Sequence, residues 1–160
     1  MRFLRPNIKK ATEELLSKAK SAGAREVTWL IKKGADVNAV EEDGKTPLIL
    51  ASESNNNPGV LSALLEKGAD INAVDDYYER TPLMYAAFKN SNTEVLTILI
   101  DNGADVAMRD YKGKMALNYA YENEKLKGTK AYYLLREKTL AELALQELAA
   151  EVALEEKVME

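Results

Sequence analysis

The chain has 160 residues, 46% of them hydrophobic, and its 22 Lys or Arg against 26 Asp or Glu give a net charge of −4. Cysteine and histidine are both absent, which excludes disulfides, thiolate metal ligands and Cys nucleophiles and removes the commonest general base and zinc ligand. No apolar run approaches the roughly 20 residues that a membrane-spanning helix needs, so the composition predicts a soluble single domain.

In chain order, the opening Met1-Arg2-Phe3-Leu4-Arg5-Pro6 lacks the apolar stretch of a secretory signal. The expected location is therefore the cytoplasm, although an exported chain already processed would start in the same way. Residues 1–34 carry nine Lys or Arg against three Glu, a basic end that invites an acidic partner or nucleic acid. Its alternation, with Lys9-Lys10 followed by Glu13-Glu14, reads better as a solvated cap. Trp29 lies among Val27, Leu30 and Ile31 in a predicted helix and is read as a packing residue.

A heptapeptide then begins to recur: Gly34-Ala35-Asp36-Val37-Asn38-Ala39-Val40 returns as Gly68-Ala69-Asp70-Ile71-Asn72-Ala73-Val74 and, degraded, as Gly103-Ala104-Asp105-Val106-Ala107. A second block, Lys45-Thr46-Pro47-Leu48, keeps the same beat in Arg80-Thr81-Pro82-Leu83 and Lys114-Met115-Ala116-Leu117. Thr46 and Thr81 are N-cap candidates, and Pro47 and Pro82 follow at the first helical position, where no N–H is needed. Leu48 with Ala51, Leu83 with Ala86 and Ala87, and Leu117 with Ala120 fall at helical spacing and predict a core of closely packed helices. Second helices follow in Val60-Leu61-Leu64-Leu65 and Val95-Leu96-Leu99-Ile100, and Gly34, Gly68 and Gly103 stand just past helix ends, where a left-handed residue is wanted. Asn38 and Asn72 are read as turn formers, since Asn bonds its own backbone.

No Gly or Pro occurs in residues 129–160. Thr139-Leu140-Ala141-Glu142 has the form of a capping box, which predicts a helix break at residues 137–139. The following helix, residues 139–160, is expected to fold back as a cap of the same domain. Leu140, Leu143 and some of Leu145, Leu148 and Val152 would cover the last repeat. An unbroken helix would instead invite dimerisation through Leu145, Leu148 and Val152.

Self-similarity at a 34- to 35-residue period signals a solenoid. The two motifs, G-A-D-x-N-A and D-x-x-G-x-T-P-L, recur in the order found in ankyrin repeats, which this chain resembles over residues 12–138. The resemblance implies an all-α solenoid of helix-turn-helix units with projecting hairpin loops, dividing as residues 11–40 (partial, without a hairpin), 41–74, 75–109 and 110–138. The short T-P-L-M-Y-A and A-L-N-Y-A blocks and the stretch at residues 123–132 look most like bacterial ankyrin proteins. Three departures stand out. Ile49, Met84 and Asn118 replace the family's His, so its bond between loop and helix should be missing. The second hairpin is one residue longer, with Glu79 where its neighbours have Gly44 and Gly113, so its tip should differ in shape. The interhelix loops Asn55-Asn56-Asn57-Pro58 and Asn90-Ser91-Asn92 are one residue longer than the family norm.

Partners of related ankyrin proteins are commonly held by hairpin tips and by the inner face of the first helices. Carried over, that surface is Glu42, Asp43, Lys45, Glu53 and Ser54, then Asp76, Tyr77, Tyr78, Arg80, Phe88 and Lys89, then Tyr111, Lys112, Lys114, Glu122 and Asn123. The expectation is a protein-binding module acting as an adaptor, inhibitor or effector, monomeric, with a protein partner rather than a membrane or nucleic acid. Neither cofactor nor metal is expected. Catalysis would have to use carboxylates, Lys or Tyr. The acids recur at fixed repeat positions such as Asp36, Asp70 and Asp105, which argues for a structural job in every repeat, and the chain is read as no enzyme.

Overall fold

The computed structural model describes residues 5–159, with side chains over residues 7–154. Eight helices and no strand occur among the described residues: α1 (Arg5–Lys18), α2 (Ala24–Lys32), α3 (Pro47–Ser54), α4 (Pro58–Glu66), α5 (Pro82–Lys89), α6 (Thr93–Asp101), α7 (Ala116–Glu122) and α8 (Lys130–Met159). They stack in two rows, α1, α3, α5 and α7 forming the inner row and α2, α4, α6 and α8 the outer row, each helix packing on its predecessor in the row. This is the expected all-helical repeat solenoid, with α1 beginning upstream of residue 11.

Local chemistry sets the helix limits. The Thr46 and Thr81 hydroxyls accept from the Ile49 and Met84 N–H groups at 3.3 and 3.2 Å, with Pro47 and Pro82 next in line. In the last repeat Met115 replaces Thr, and Asn118 Oδ1 instead accepts the Met115 N–H at 2.8 Å. Asn118 therefore does make a loop-to-helix bond, contrary to the expectation that all three substitutes for His lose it. Helices α2, α4 and α6 end in a paired bond, as in Ala69 N–H to Leu64 C=O with Gly68 N–H to Leu65 C=O. Gly68 has φ 85° there, the left-handed geometry that glycine adopts without a Cβ clash.

Residues 47–52 of α3 and 82–87 of α5 are buried throughout, because these helices are covered by neighbours on both sides and by the outer row. Leu48, Leu61, Leu64, Leu83 and Leu99 are fully inaccessible, each contributing roughly 1.5–3 kcal/mol relative to exposure. Asparagines stitch the repeats together. Asn55 Nδ2 donates to the Ala19 and Ala22 carbonyls, Asn90 Nδ2 to those of Ser52 and Asn55, and Asn123 Nδ2 to that of Ala87, all at 2.9–3.2 Å. Asn57 and Asn92 cap α4 and α6, so the long Asn-rich loops are both cap and clamp.

Three expectations are corrected. The side chains of Asn38 and Asn72 do not bond within their own turns, where their N–H groups are held instead by the Asp36 and Asp70 carboxylates. Asn38 donates to Gly68 C=O and accepts from Asp70 N–H, and Asn72 accepts from Asp105 N–H, each reaching the next repeat. Trp29 is 54% exposed, because α2 buries Val27 and Leu30 and turns the indole toward Lys33, 5.4 Å from the ring. The break at residues 137–139 is absent: α8 runs unbroken for 30 residues. Thr139 is buried and its hydroxyl donates to Leu135 C=O at 2.7 Å, a bond available inside a helix that makes it an interior residue and not a cap. Leu140, Leu145, Leu148 and Val152 are consequently exposed instead of covering the last repeat.

Candidate partner-binding face

Each loop between a glycine stop and the next inner-row helix closes as a hairpin. Glu41 N–H bonds Lys45 C=O, Asp75 N–H bonds Arg80 C=O and Asp110 N–H bonds Lys114 C=O. Adjacent hairpins are joined edge to edge, Asp76 N–H to Asp43 C=O at 3.0 Å and Tyr111 N–H to Tyr78 C=O at 3.1 Å. Gly44 allows this approach, since a Cβ there would lie 2.7 Å from the Asp76 nitrogen. The second tip is wider, as expected: its turn is closed by Glu79 N–H to Asp75 C=O, where the first uses Gly44 N–H to Glu41 C=O. Glu79 nonetheless takes φ 54°, the same left-handed region as Gly44 and Gly113. The Asp75 carboxylate holds the tip by accepting from the N–H groups of Tyr77, Tyr78 and Arg80.

Under the tips lies a row of cations stacked on rings. Arg80 has its guanidinium 4.6 Å from the Tyr78 ring centre, 4.7 Å from that of Tyr119, 5.2 Å from that of Phe88 and 6.0 Å from that of Tyr85. Its Nε–H donates to the Tyr119 hydroxyl at 3.1 Å, and that hydroxyl donates to Asp110. Lys45 stands 5.0 Å from the Tyr85 ring and Lys114 5.3 Å from the Tyr119 ring. Burial and the nearby carboxylates of Asp75 and Asp110 push the phenols of Tyr85 and Tyr119 up to about 12. Burial alone would raise Asp110, but the Tyr119 hydroxyl, the Lys114 and Lys112 N–H groups and the Arg80 charge together hold it below the usual range. Glu53 is held low in the same way, against burial, by Lys89 and Lys45.

The residues expected at an interface thus divide. Tyr77 is 70% exposed, Tyr78 43%, Phe88 39% and Tyr111 49%. Tyr78 leans on Tyr111 with ring centres 5.8 Å apart, and Phe88 on Tyr119 at 5.4 Å. Glu42, Ser54, Asp76, Lys89, Lys112 and Glu122 are exposed around them, with Lys112 5.2 Å from the Tyr111 ring and Glu122 paired to Lys114 at 2.8 Å. Asp43 and Lys45 are half-buried and 3.5 Å apart, Lys45 also meets Glu53 at 3.2 Å, and Glu53 binds Lys89 as well. Asn123 has its amide committed to Ala87. Arg80, Glu53 and Asn123 therefore support the face from within. Tyr85, Tyr119 and Asp110 were not anticipated. For the two tyrosines the signal was the common spacing of Arg80 to Tyr85 and Lys114 to Tyr119, five residues each.

Stacked helix pairs with hairpins projecting from one row define a helical repeat protein of the interaction type. Family models described as ankyrin repeats match residues 3–75 (3 copies) and 51–100 (many copies), and the chain belongs to the ankyrin-repeat family. Such repeats are generally protein–protein interaction modules and typically non-enzymatic. No curated protein matches the chain. Among the described residues, no helix is long and apolar enough to cross a membrane.

Proposed function

We propose that this chain binds a partner protein on the face made by the hairpin tips and the inner-row helices, centred on Tyr77, Tyr78, Phe88 and Tyr111. The observation that carries this reading is the exposed aromatic ledge of Tyr78, Phe88 and Tyr111, which spans two repeats on the Arg80 cage, with the exposed Tyr77 next to it in the chain. Aromatic side chains held rigid before contact lose little entropy on binding and bury large areas, and interface energy concentrates in a few such residues. Glu42, Asp76, Lys89 and Lys112 form the charged rim. The rival basic-end reading is weakened because Lys18 pairs with Glu26 at 3.1 Å and Lys20 with Glu41 at 3.8 Å.

The test is affinity capture from the source organism with three baits: the native chain, Tyr77→Ala/Phe88→Ala, and Glu66→Ala/Thr97→Ala on the outer-row helices α4 and α6. A partner of this face is lost from the first variant, with affinity weakened by roughly 2 kcal/mol or more, and kept by the second. The reverse pattern, or equal capture by all three, rejects the site. Tyr78→Ala should lower both affinity and melting temperature, since Tyr78 also stacks on Arg80 and Tyr111, whereas Tyr77→Ala should lower affinity alone.

A further inference from the structure

Among the described residues, the outer part of α8 packs on no other helix of the chain. Every residue in 144–154 is exposed, including Leu145, Leu148, Val152 and Leu154. A helical segment of this length is marginal in water without an apolar face to bury. Ala141, Leu145, Leu148 and Val152 follow one another at spacings of four, three and four, which puts them on one stripe of the helix, the seam of a two-helix coiled coil. The same spacing reaches Lys138 at one end and Glu155 at the other.

We infer that this stripe is a homodimer interface in which α8 of two copies pairs antiparallel. The choice of occupant follows from the seam. Antiparallel pairing about the midpoint between Leu145 and Leu148 sets Leu145 against Leu148 of the second copy, Ala141 against Val152, and Lys138 against Glu155, so that small meets large and each end closes on opposite charges. Parallel pairing sets Lys138 on Lys138 and Glu155 on Glu155, and aligns the acidic outer parts, with Glu147 and Glu151, along each other. It also crowds the two solenoids at one end, whereas antiparallel pairing puts them at opposite ends. The arrangement is isologous and closes at two copies. It leaves both aromatic faces free, so a dimer offers two equivalent binding faces to a multivalent target.

Sedimentation velocity on the full chain tests this. The native protein should show a concentration-dependent dimer with a dissociation constant on the order of 10 µM, as suits a short seam. Leu145→Glu/Leu148→Glu should weaken it by more than tenfold without changing the melting temperature of the stack. Because the chain has no cysteine, Ala141→Cys and Val152→Cys report direction: under oxidation, the mixed variants should cross-link and each alone should not. A monomer at every concentration, a dimer unaffected by the Leu→Glu pair, or cross-linking of each Cys variant with itself overturns the proposal. So does a monomer whose Leu145 and Leu148 are required instead for binding phosphatidylcholine vesicles.

Discussion

Arg80 and Tyr119 are 39 residues apart in sequence and are joined by an Nε–H to hydroxyl bond of 3.1 Å, with the guanidinium also 4.7 Å from the ring centre. Behind them the Asp110 carboxylate is fully buried, 3.6 Å from Arg80 Nε. Arg80→Ala should destabilise the fold by about 3 kcal/mol, because it leaves a buried carboxylate without its cation. Arg80→Lys should recover less than half of that, since an ammonium cannot stack as a plane between rings. Urea unfolding of the two variants measures both.

Acid should weaken the fold through Asp110 and Glu53. Their ordinary values are 3.8 and 4.5, and both are lowered in the folded chain, so the unfolded chain takes up these protons first. The stability they contribute is fully present above about pH 5 and is lost as pH falls through the lower folded values. Asp110→Asn should show a shallower loss of stability between pH 5 and pH 2 than the native chain, read from urea midpoints across that range.

The Asn90 clamp should matter more than its loop position suggests. Asn90→Ala removes bonds to the Ser52 and Asn55 carbonyls and to the Asn92 N–H, and the cost should be about 2 kcal/mol because buried acceptors are left unpaired. Asn56→Ala removes one exposed bond to Ser91 and should cost under about 0.5 kcal/mol. Thermal melts of the two variants distinguish these outcomes.

The hairpin row offers a pair of opposite changes. Gly44→Ala places a Cβ against the Asp76 backbone at φ 77°, and should both lower the melting temperature and disturb the amide signal of Asp76, whose N–H bonds Asp43 C=O. Glu79→Gly relieves a side chain held at φ 54° and should stabilise by roughly 0.5–1 kcal/mol, the left-handed penalty less the added chain entropy of glycine. A destabilised Glu79→Gly variant would show that Glu79 makes a compensating contact.

Much of the architecture was legible residue by residue. Thr46 and Thr81 cap, Pro47 and Pro82 begin helices, and Gly34, Gly68 and Gly103 end them, because those effects act through bonds reaching three to five residues along the chain. The exposed tips at Tyr77 and Tyr111 were legible for the same reason, as loops between two such signals. Thr139 shows where this reading stops. Its capping-box pattern is local, but burial and a bond to Leu135 made it a helix interior residue, and burial is set by what α8 packs against. Trp29 turned outward because the neighbours of α2 lie on its Val27 and Leu30 side. Asn38, Asn90 and Arg80 act on groups about 30 to 39 residues away, a distance that only the stacking of one repeat on the next converts into contact. Sequence by itself determined the paired helices of the repeats and their order. Tertiary structure decided which polar side chains hold the repeats together and which aromatic ones remain exposed, because both depend on what each repeat stacks against.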